Sequence, residues 1–450
     1  MMNRKLTKAE SFFIGSMLFG MFFGAGNLIF PVHMGQEAGK AVLPAAIGFI
    51  ITATGLPFLG VVAIGISDSG GLLGLAKRVG RKWGYFFTAL LYLTIGPFFA
   101  YPRTGTVSYE IGLSLYVPKP YAHISVFLFT LVFFGVALFF SLRPGKLVMW
   151  IGKVLNPIFL VLMAALILVA LIHPMGKVTA GAVGDVYQQN AFFKGFTEGY
   201  NTMDALASLA FGGLVVDALR HMGIKSSKDI ALNTARTGSI SVVLMVIIYG
   251  FLGFIGSTSL GTIPLSENGG IALAQISRHY FGSFGNILLA VLVTIACLKT
   301  AIGLTSSCAK AFVEMFPKSL SYRGYAILFS VMGCAIANIG LTQIIALSLP
   351  VLMFLYPLAI VLIVLTLFSR LFGGDYIVYK TTTWITCLFG IGEALRAAPK
   401  ALQRNPFVAS LLSLYEKAPF YTIGMGWIVP ALLGVIIGLI WLWIRKRQNT

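Results

Sequence analysis

The chain alternates long apolar runs with short polar stretches in which basic residues gather. A helix of about 20 apolar residues is long enough to cross the hydrocarbon core of a bilayer. Read this way, the pattern predicts about twelve membrane-spanning helices. They lie near residues 11–36, 42–66, 84–103, 122–141, 146–172, 192–216, 230–257, 283–315, 322–340, 343–369, 376–396 and 422–444. The eighth is long enough to tilt or to project from the membrane. No long polar region is left over, so residues 1–450 are expected to form a single, all-α polytopic transmembrane unit.

Composition agrees with this pattern. Of 450 residues, 58% are hydrophobic and 10% charged, and the mean hydropathy is +0.89. A soluble protein of this length needs far more charged surface, so the apolar excess must face lipid. Arg4, Lys5 and Lys8 lead into an apolar run too long for a signal-peptide core and lacking a small-residue cleavage site. The first span is therefore expected to stay in the mature protein. Net charge is +19, but the basic residues cluster in short loops, which speaks for membrane topology and against nucleic acid. Cys297, Cys308, Cys334 and Cys387 lie in apolar segments without a metal-binding spacing and are expected to be buried free thiols.

Loop charges set an orientation. With the N-terminus inside, one side collects Arg4, Lys5, Lys8, Lys77, Arg78, Arg81, Lys82, Arg143, Lys146, Lys153, Arg220, Lys225, Lys228, Arg236, Lys310, Lys318, Arg323, Arg370, Lys380 and the basic C-terminal Arg445, Lys446 and Arg447. Lys40, Arg103, Lys119, Lys177, Lys194 and Arg278 fall on the other. This bias predicts both termini in the cytoplasm. One loop runs against it, since Arg396, Lys400, Arg404 and Lys417 fall outside.

Two spans carry their own breakers. The first contains Phe22-Phe23-Gly24-Ala25-Gly26-Asn27-Leu28-Ile29-Phe30-Pro31. Two glycines alone read as a close packing contact; the added Asn27 and Pro31 favour a break. The sixth contains Glu198, Gly199, Tyr200, Asn201 and Asp204 within an apolar context. A charge at mid-bilayer costs roughly 2.5–3.5 kcal/mol on insertion scales and usually faces a cavity or a partner. Asp204 reads either as the N-cap of a resumed helix or as a functional carboxylate, and Glu198 as a solvated group near the outer surface.

The breaks are five spans apart. Five is odd, so a second five-span unit starts from the opposite side of the membrane. This predicts a five-plus-five inverted repeat, with repeat one near 11–172, repeat two near 192–369 and two additional helices near 376–444. In transporters so built, broken helices 1 and 6 meet at mid-membrane and bind the substrate. A half-helix N-terminus offers free N–H groups to a carboxylate, and the opposing end offers carbonyls to an ammonium or a cation. A zwitterionic amino acid matches both, and apolar walls suit an aliphatic side chain.

Span 8 holds Lys299-Thr300-Ala301-Ile302-Gly303-Leu304-Thr305-Ser306-Ser307. The hydroxyls can bond back to their own helix. Alternatively they are hard oxygen ligands for a cation, shared with carbonyls near Gly20 and Phe23. Lys299 must pair or give up its proton if buried, with Asp204 and Glu198 as candidate partners. In the cation site it would argue against sodium there.

These motifs, with Leu91–Thr104 ("LYLTIGPFFAYPRT") and Glu198–Gly212 ("EGYNTMDALASLAFG"), resemble the bacterial branched-chain amino acid carriers of the LIVCS family along essentially the whole chain. The resemblance implies a LeuT-like fold and a sodium-coupled symporter of leucine, isoleucine and valine in the bacterial cytoplasmic membrane. Gly24-Ala25-Gly26-Asn27 and Gly303-Leu304-Thr305-Ser306-Ser307 match the helix-1 break and helix-8 run of the sodium-coupled leucine transporter. That match implies a sodium site of Gly20, Phe23, Ile302, Thr305 and Ser306. It also implies carboxylate binding by the backbone of Ala25 and Gly26, and Asn27 matches a residue that serves a second sodium there. Span 6 departs from that transporter's glycine-rich break, so Asn27, Glu198, Tyr200 and Asp204 are assigned to the substrate site by their region alone. No cofactor is expected beyond sodium as the coupling ion.

Other classes fit less well. The five histidines fall near span ends, and no HExxH, GxSxG or paired intramembrane aspartate appears, so an intramembrane enzyme is not expected. No filter is repeated by symmetry, so neither is a channel. The alternative within transporters is a proton-coupled carrier of another amino acid, with Lys299, Asp204 or Glu198 relaying the proton.

Overall fold

A computed structural model describes residues 6–67, 69–143, 146, 148–178, 183–224 and 226–448. Arg4, Lys5 and Lys225 of the charge pattern lie outside the described residues. No strand occurs among the described residues, and helices stand at all twelve expected places. By length and composition, eight helical stretches among them can cross a membrane, and a pair bent by 46° at its break makes a ninth. The fourth span, Ala122–Ser141, matches its predicted limits.

Other boundaries moved for identifiable reasons. The third span runs on to Gly112 instead of stopping at 103. A wide turn over Thr94–Phe98, with Gly96 off helical geometry and Pro97 inside it, ends one helix. The next begins at Ala100, so Pro102 falls in a first turn, where a missing N–H leaves no bond unmade. Arg103, expected in a loop, is thereby carried into the protein interior. The eighth helix, Gly269–Met315, starts early and kinks at Gly282, whose φ of 58° suits glycine. Before the last span, Ile428–Gln448, lies a short helix, Pro406–Tyr415. In this region Arg396 is an ion-pair partner (3.1 Å) of the buried Glu393 and donates to the Thr422 carbonyl (3.2 Å). A structural role accounts for one of the charges that ran against the predicted topology.

Spans 1, 2, 6 and 7 cross closely because glycines remove side-chain bulk where backbones meet. A Cβ on Gly195 would lie 2.0 Å from the Ala45 carbonyl oxygen, and one on Gly48 2.0 Å from that of Phe192, which locks span 2 to span 6. Gly35 and Gly256 do the same between spans 1 and 7, at 2.1 Å from the Gly253 and Val32 oxygens. Helices must part to admit even one methyl here, and overpacking costs about 1–3 kcal/mol. Gly195→Ala is therefore expected to lower the melting temperature of the detergent-purified protein. An unchanged melting curve would mean that this crossing is loose.

Candidate functional site

The break in the first span is two residues long. Its first half-helix, Lys8–Phe22, ends as the Phe23 N–H donates to the Phe19 carbonyl (2.7 Å). The second half-helix, Ala25–Ala38, starts after the extended Gly24. Gly24 is needed for space, since a Cβ there would meet Thr300 Oγ1 at 2.7 Å. Ala25, Gly26 and Asn27 already belong to the resumed helix and form its first turn. Asn27 Oδ1 accepts from the Gly24 N–H (3.0 Å). That diverts the donor which a continuous helix would give to the Gly20 carbonyl. Pro31 lies inside this second half-helix and removes the N–H that would otherwise bond the Asn27 carbonyl.

The sixth span breaks later than its glycine suggests. Helix Asp185–Glu198 tightens into a 3₁₀ turn over Gly199–Thr202, and Met203 adopts the left-handed conformation (φ 63°, ψ 9°) before Asp204–His221 resumes. A buried non-glycine residue in this region holds backbone strain, a recurrent property of functional sites. Asp204 is not a cap. It is the first residue of the resumed helix, and its Oδ2 accepts from Asn27 Nδ2 and from the Tyr249 hydroxyl (3.3 Å). Asn27 Nδ2 also donates to the Tyr249 oxygen (2.5 Å). One amide thus joins span 1 to spans 6 and 7, and Asn27, Asp204 and Tyr249 are all at least 97% buried.

Around this junction lies a small cavity of about 20 Å³, lined by Ala25, Gly26, Asn27, Arg103, Thr202, Asp204 and Thr300, with Met21, Phe22, Ile95, Phe211 and Leu304 as apolar walls. It is large enough for about one water molecule. Of the predicted substrate residues, the fold brings Ala25, Gly26, Asn27 and Asp204 together here. It does not bring Glu198 or Tyr200. Glu198 is paired with Lys194 and accepts from Asn201 (2.9 Å) in a separate cleft of about 470 Å³ that also holds Arg396. Tyr200 is buried against Tyr356 of span 10, ring centroids 4.2 Å apart.

The predicted sodium ligands are also divided. Gly20 and Phe23 flank the break, but the span-8 trio faces elsewhere. Thr305 bonds back to the Ala301 carbonyl (3.0 Å) and lies by Tyr101 of span 3. The Ile302 carbonyl accepts from Ser141 of span 4 (3.3 Å), and Ser306 lies by Tyr322 of span 9. The face turned to span 1 carries Lys299, Thr300 and Gly303 instead, where Cβ atoms on Gly20, Gly24 and Gly303 would meet Lys299, Thr300 and Met21. Matching the Gly-Leu-Thr-Ser-Ser run put the helix in a different rotation, and 100° per residue makes that decisive.

Lys299 is fully buried and pairs with neither Asp204 nor Glu198. Its Nζ donates to Asn156 Oδ1 (2.9 Å) and stands over the Phe159 ring (3.7 Å to the centroid) and the Phe19 ring (5.5 Å). Asn156 Nδ2 in turn donates to Ser16 (2.8 Å), so spans 1, 5 and 8 are tied through one lysine amine. Sequence reasoning missed Arg103, Tyr249, Thr300 and Asn156. Only Arg103 left a readable trace, as a cation near the start of a helix that continues for nine more residues.

Comparison with known proteins identifies the family and the fold. The profile of the family described as branched-chain amino acid transport protein matches residues 7–445. The branched-chain amino acid permease BrnQ of Lactobacillus delbrueckii subsp. lactis is 47% identical over 431 residues, covering 95% of this chain and 96% of the relative. Among solved structures, Mhp1, a nucleobase-cation-symport-1 family transporter closed around bromovinylhydantoin, aligns with a TM-score of 0.61 at 15% identity, over 96% of this chain and 92% of that one. MhsT in complex with L-phenylalanine aligns at 0.58 and 14%, over 99% of both. These structural likenesses show the fold, which is LeuT-like. The chain is a multi-span membrane protein that belongs to the branched-chain amino acid transport protein family, a family of transporters and not of enzymes.

Proposed function

We propose that the chain is a secondary active symporter that carries leucine, isoleucine and valine across the cytoplasmic membrane into the cell, with sodium as the coupling ion and both termini inside. Family membership and the permease name of its relative supply the substrate class. The observation that carries the site is the meeting of the two helix breaks at Asn27 and Asp204. First-turn N–H groups of Ala25 and Gly26 suit a carboxylate, the Asp204 carboxylate suits an ammonium, and Met21, Phe22, Ile95, Phe211 and Leu304 suit a branched aliphatic side chain. A cavity of about 20 Å³ is too small for such a substrate, so loading requires its walls to part. Movement of the closely crossing spans 1, 2, 6 and 7 as one unit against the remaining spans, hinged at the breaks, would open it to each side in turn. Cation and amino acid then raise each other's affinity by the same factor.

For the cation, support comes from the last carbonyls of Lys8–Phe22, which have no helical partners beyond the break, and from Thr300 Oγ1. That hydroxyl is buried without a hydrogen-bond partner among the described residues and faces Gly24. Thr300→Ala is expected to raise the half-saturating sodium concentration about tenfold, one lost oxygen ligand being of the size of a charged hydrogen bond. Thr305→Ala combined with Ser306→Ala should leave it within about twofold. The opposite ranking would return the ion to the Thr305–Ser306 face.

A second reading, proton coupling, is favoured by one observation: the Lys299 side chain packs against Gly20, where the resemblance puts sodium, with its amine on Asn156. Uptake of labelled leucine into proteoliposomes decides between them. An imposed sodium gradient should drive accumulation at constant pH. Accumulation driven by a proton gradient alone, indifferent to sodium, would overturn the first reading in favour of the second.

A further inference from the structure

Arg103 is 4% exposed and sits on span 3 with its side chain lining the cavity between the two helix breaks. Nη2 lies 3.0 Å from the point that a Cβ on Gly26 would occupy, so the guanidinium rests against the first turn of Ala25–Ala38. It stands over the Phe30 ring, 5.5 Å from the centroid, and feels the Asp204 carboxylate electrostatically across the cavity. Among the described residues the guanidinium makes no hydrogen bond and no ion pair. A buried cation with five donors and no acceptor is costly, and a structural arginine would normally be paired. Asp204 lines the same cavity but stands beyond ion-pair distance, with its Oδ2 held by Asn27 and Tyr249.

The cavity therefore holds one cation and one carboxylate that face each other without a direct ion pair. That is the complement of a zwitterion. We infer that Arg103 anchors the carboxylate of the transported amino acid, acting with the N–H groups of Ala25 and Gly26, while Asp204 takes the ammonium. Arginine can bind a carboxylate through two parallel N–H donors, which fixes the orientation as well as the charge. Gly26 keeps the guanidinium close to those N–H groups, and even a methyl there would push it away. The inference deepens the symporter reading and rests on it.

Binding by the full-length purified protein separates the two. Labelled leucine is bound under the ionic condition that supports uptake and is competed with leucine or with leucinamide, which lacks the carboxylate. The wild-type protein is expected to prefer leucine strongly. In Arg103→Gln, leucine affinity should fall about a hundredfold, and leucine and leucinamide should come within about threefold of each other. Arg103→Lys keeps the charge but loses the fork, so it should weaken leucine about tenfold with leucinamide unchanged; this variant serves even where the glutamine variant does not fold. A wild-type leucine-to-leucinamide ratio in either variant would overturn the role of Arg103 and leave the symporter reading standing. Wild-type protein that binds no branched-chain amino acid would overturn the symporter reading itself.

Discussion

Asp204→Asn is expected to abolish leucine uptake while leaving the protein folded. The substitution keeps volume and shape at a position 3% exposed. The new amide oxygen can still accept from Asn27 or Tyr249, which hold the present carboxylate. What disappears is the negative charge. Under the proposed function, that charge faces the substrate ammonium in a site closed to water, where electrostatic interactions are little screened. Removing one partner of such a pair costs about 2–5 kcal/mol or more, and each ~1.4 kcal/mol is a factor of ten in affinity. Uptake should therefore drop by roughly 30-fold or more. Initial rates in proteoliposomes measure this, with the melting curve in detergent as the check on folding. Asp204→Asn protein that transports within threefold of wild type would remove Asp204 from the site.

Lys299→Met should separate stability from transport. A lysine amine buried without a carboxylate beside it is retained against a desolvation cost. Methionine has similar length, and its sulfur packs well against the Phe19 and Phe159 rings now under the amine. The loss is one acceptor, Asn156 Oδ1, left unsatisfied at about 1–3 kcal/mol, set against relief of that desolvation cost. The variant is therefore expected to melt at or above the wild-type temperature. Its gradient-driven accumulation should nevertheless fall at least about tenfold, because the amine ties spans 1, 5 and 8 beside the first break and intramembrane ionisable groups are rarely structural alone. Full accumulation by a stable Lys299→Met protein would reduce the residue to packing.

Periodicity and breakers made most of the architecture legible. Twelve apolar runs gave the helices, and the five-span spacing of Gly24–Asn27 and Glu198–Asp204 pointed to the two breaks that the fold joins. Rotation about a helix axis was not legible in the same way. Thr305 and Thr300 have the same chemistry, yet lie on opposite sides of span 8, because the side that meets span 1 is chosen by where Gly20, Gly24 and Gly303 allow backbones to approach. Glu198 and Tyr200 were misplaced for a related reason. The chain leaves the helix at Met203, whose side chain carries no turn signal, so the break sits four residues beyond the glycine. Arg103 was hidden by Pro97 and Pro102, which read as a span end but occupy a kink and a helix first turn.

Asn27 constrains what substitutions this position tolerates. Its oxygen accepts from Gly24 within span 1, while its nitrogen donates to Asp204 and Tyr249 on other spans. Aspartate would keep the acceptor and set two like charges against each other. Threonine would be too short to span both contacts, and glutamine would displace one to keep the other. Only a side chain that presents a donor and an acceptor at this one separation lets the broken helix close its own end and report to its counterpart at the same time. The selective pressure at residue 27 is thus on a two-ended molecular length, and variation among functional carriers should concentrate on its neighbours before it reaches this amide.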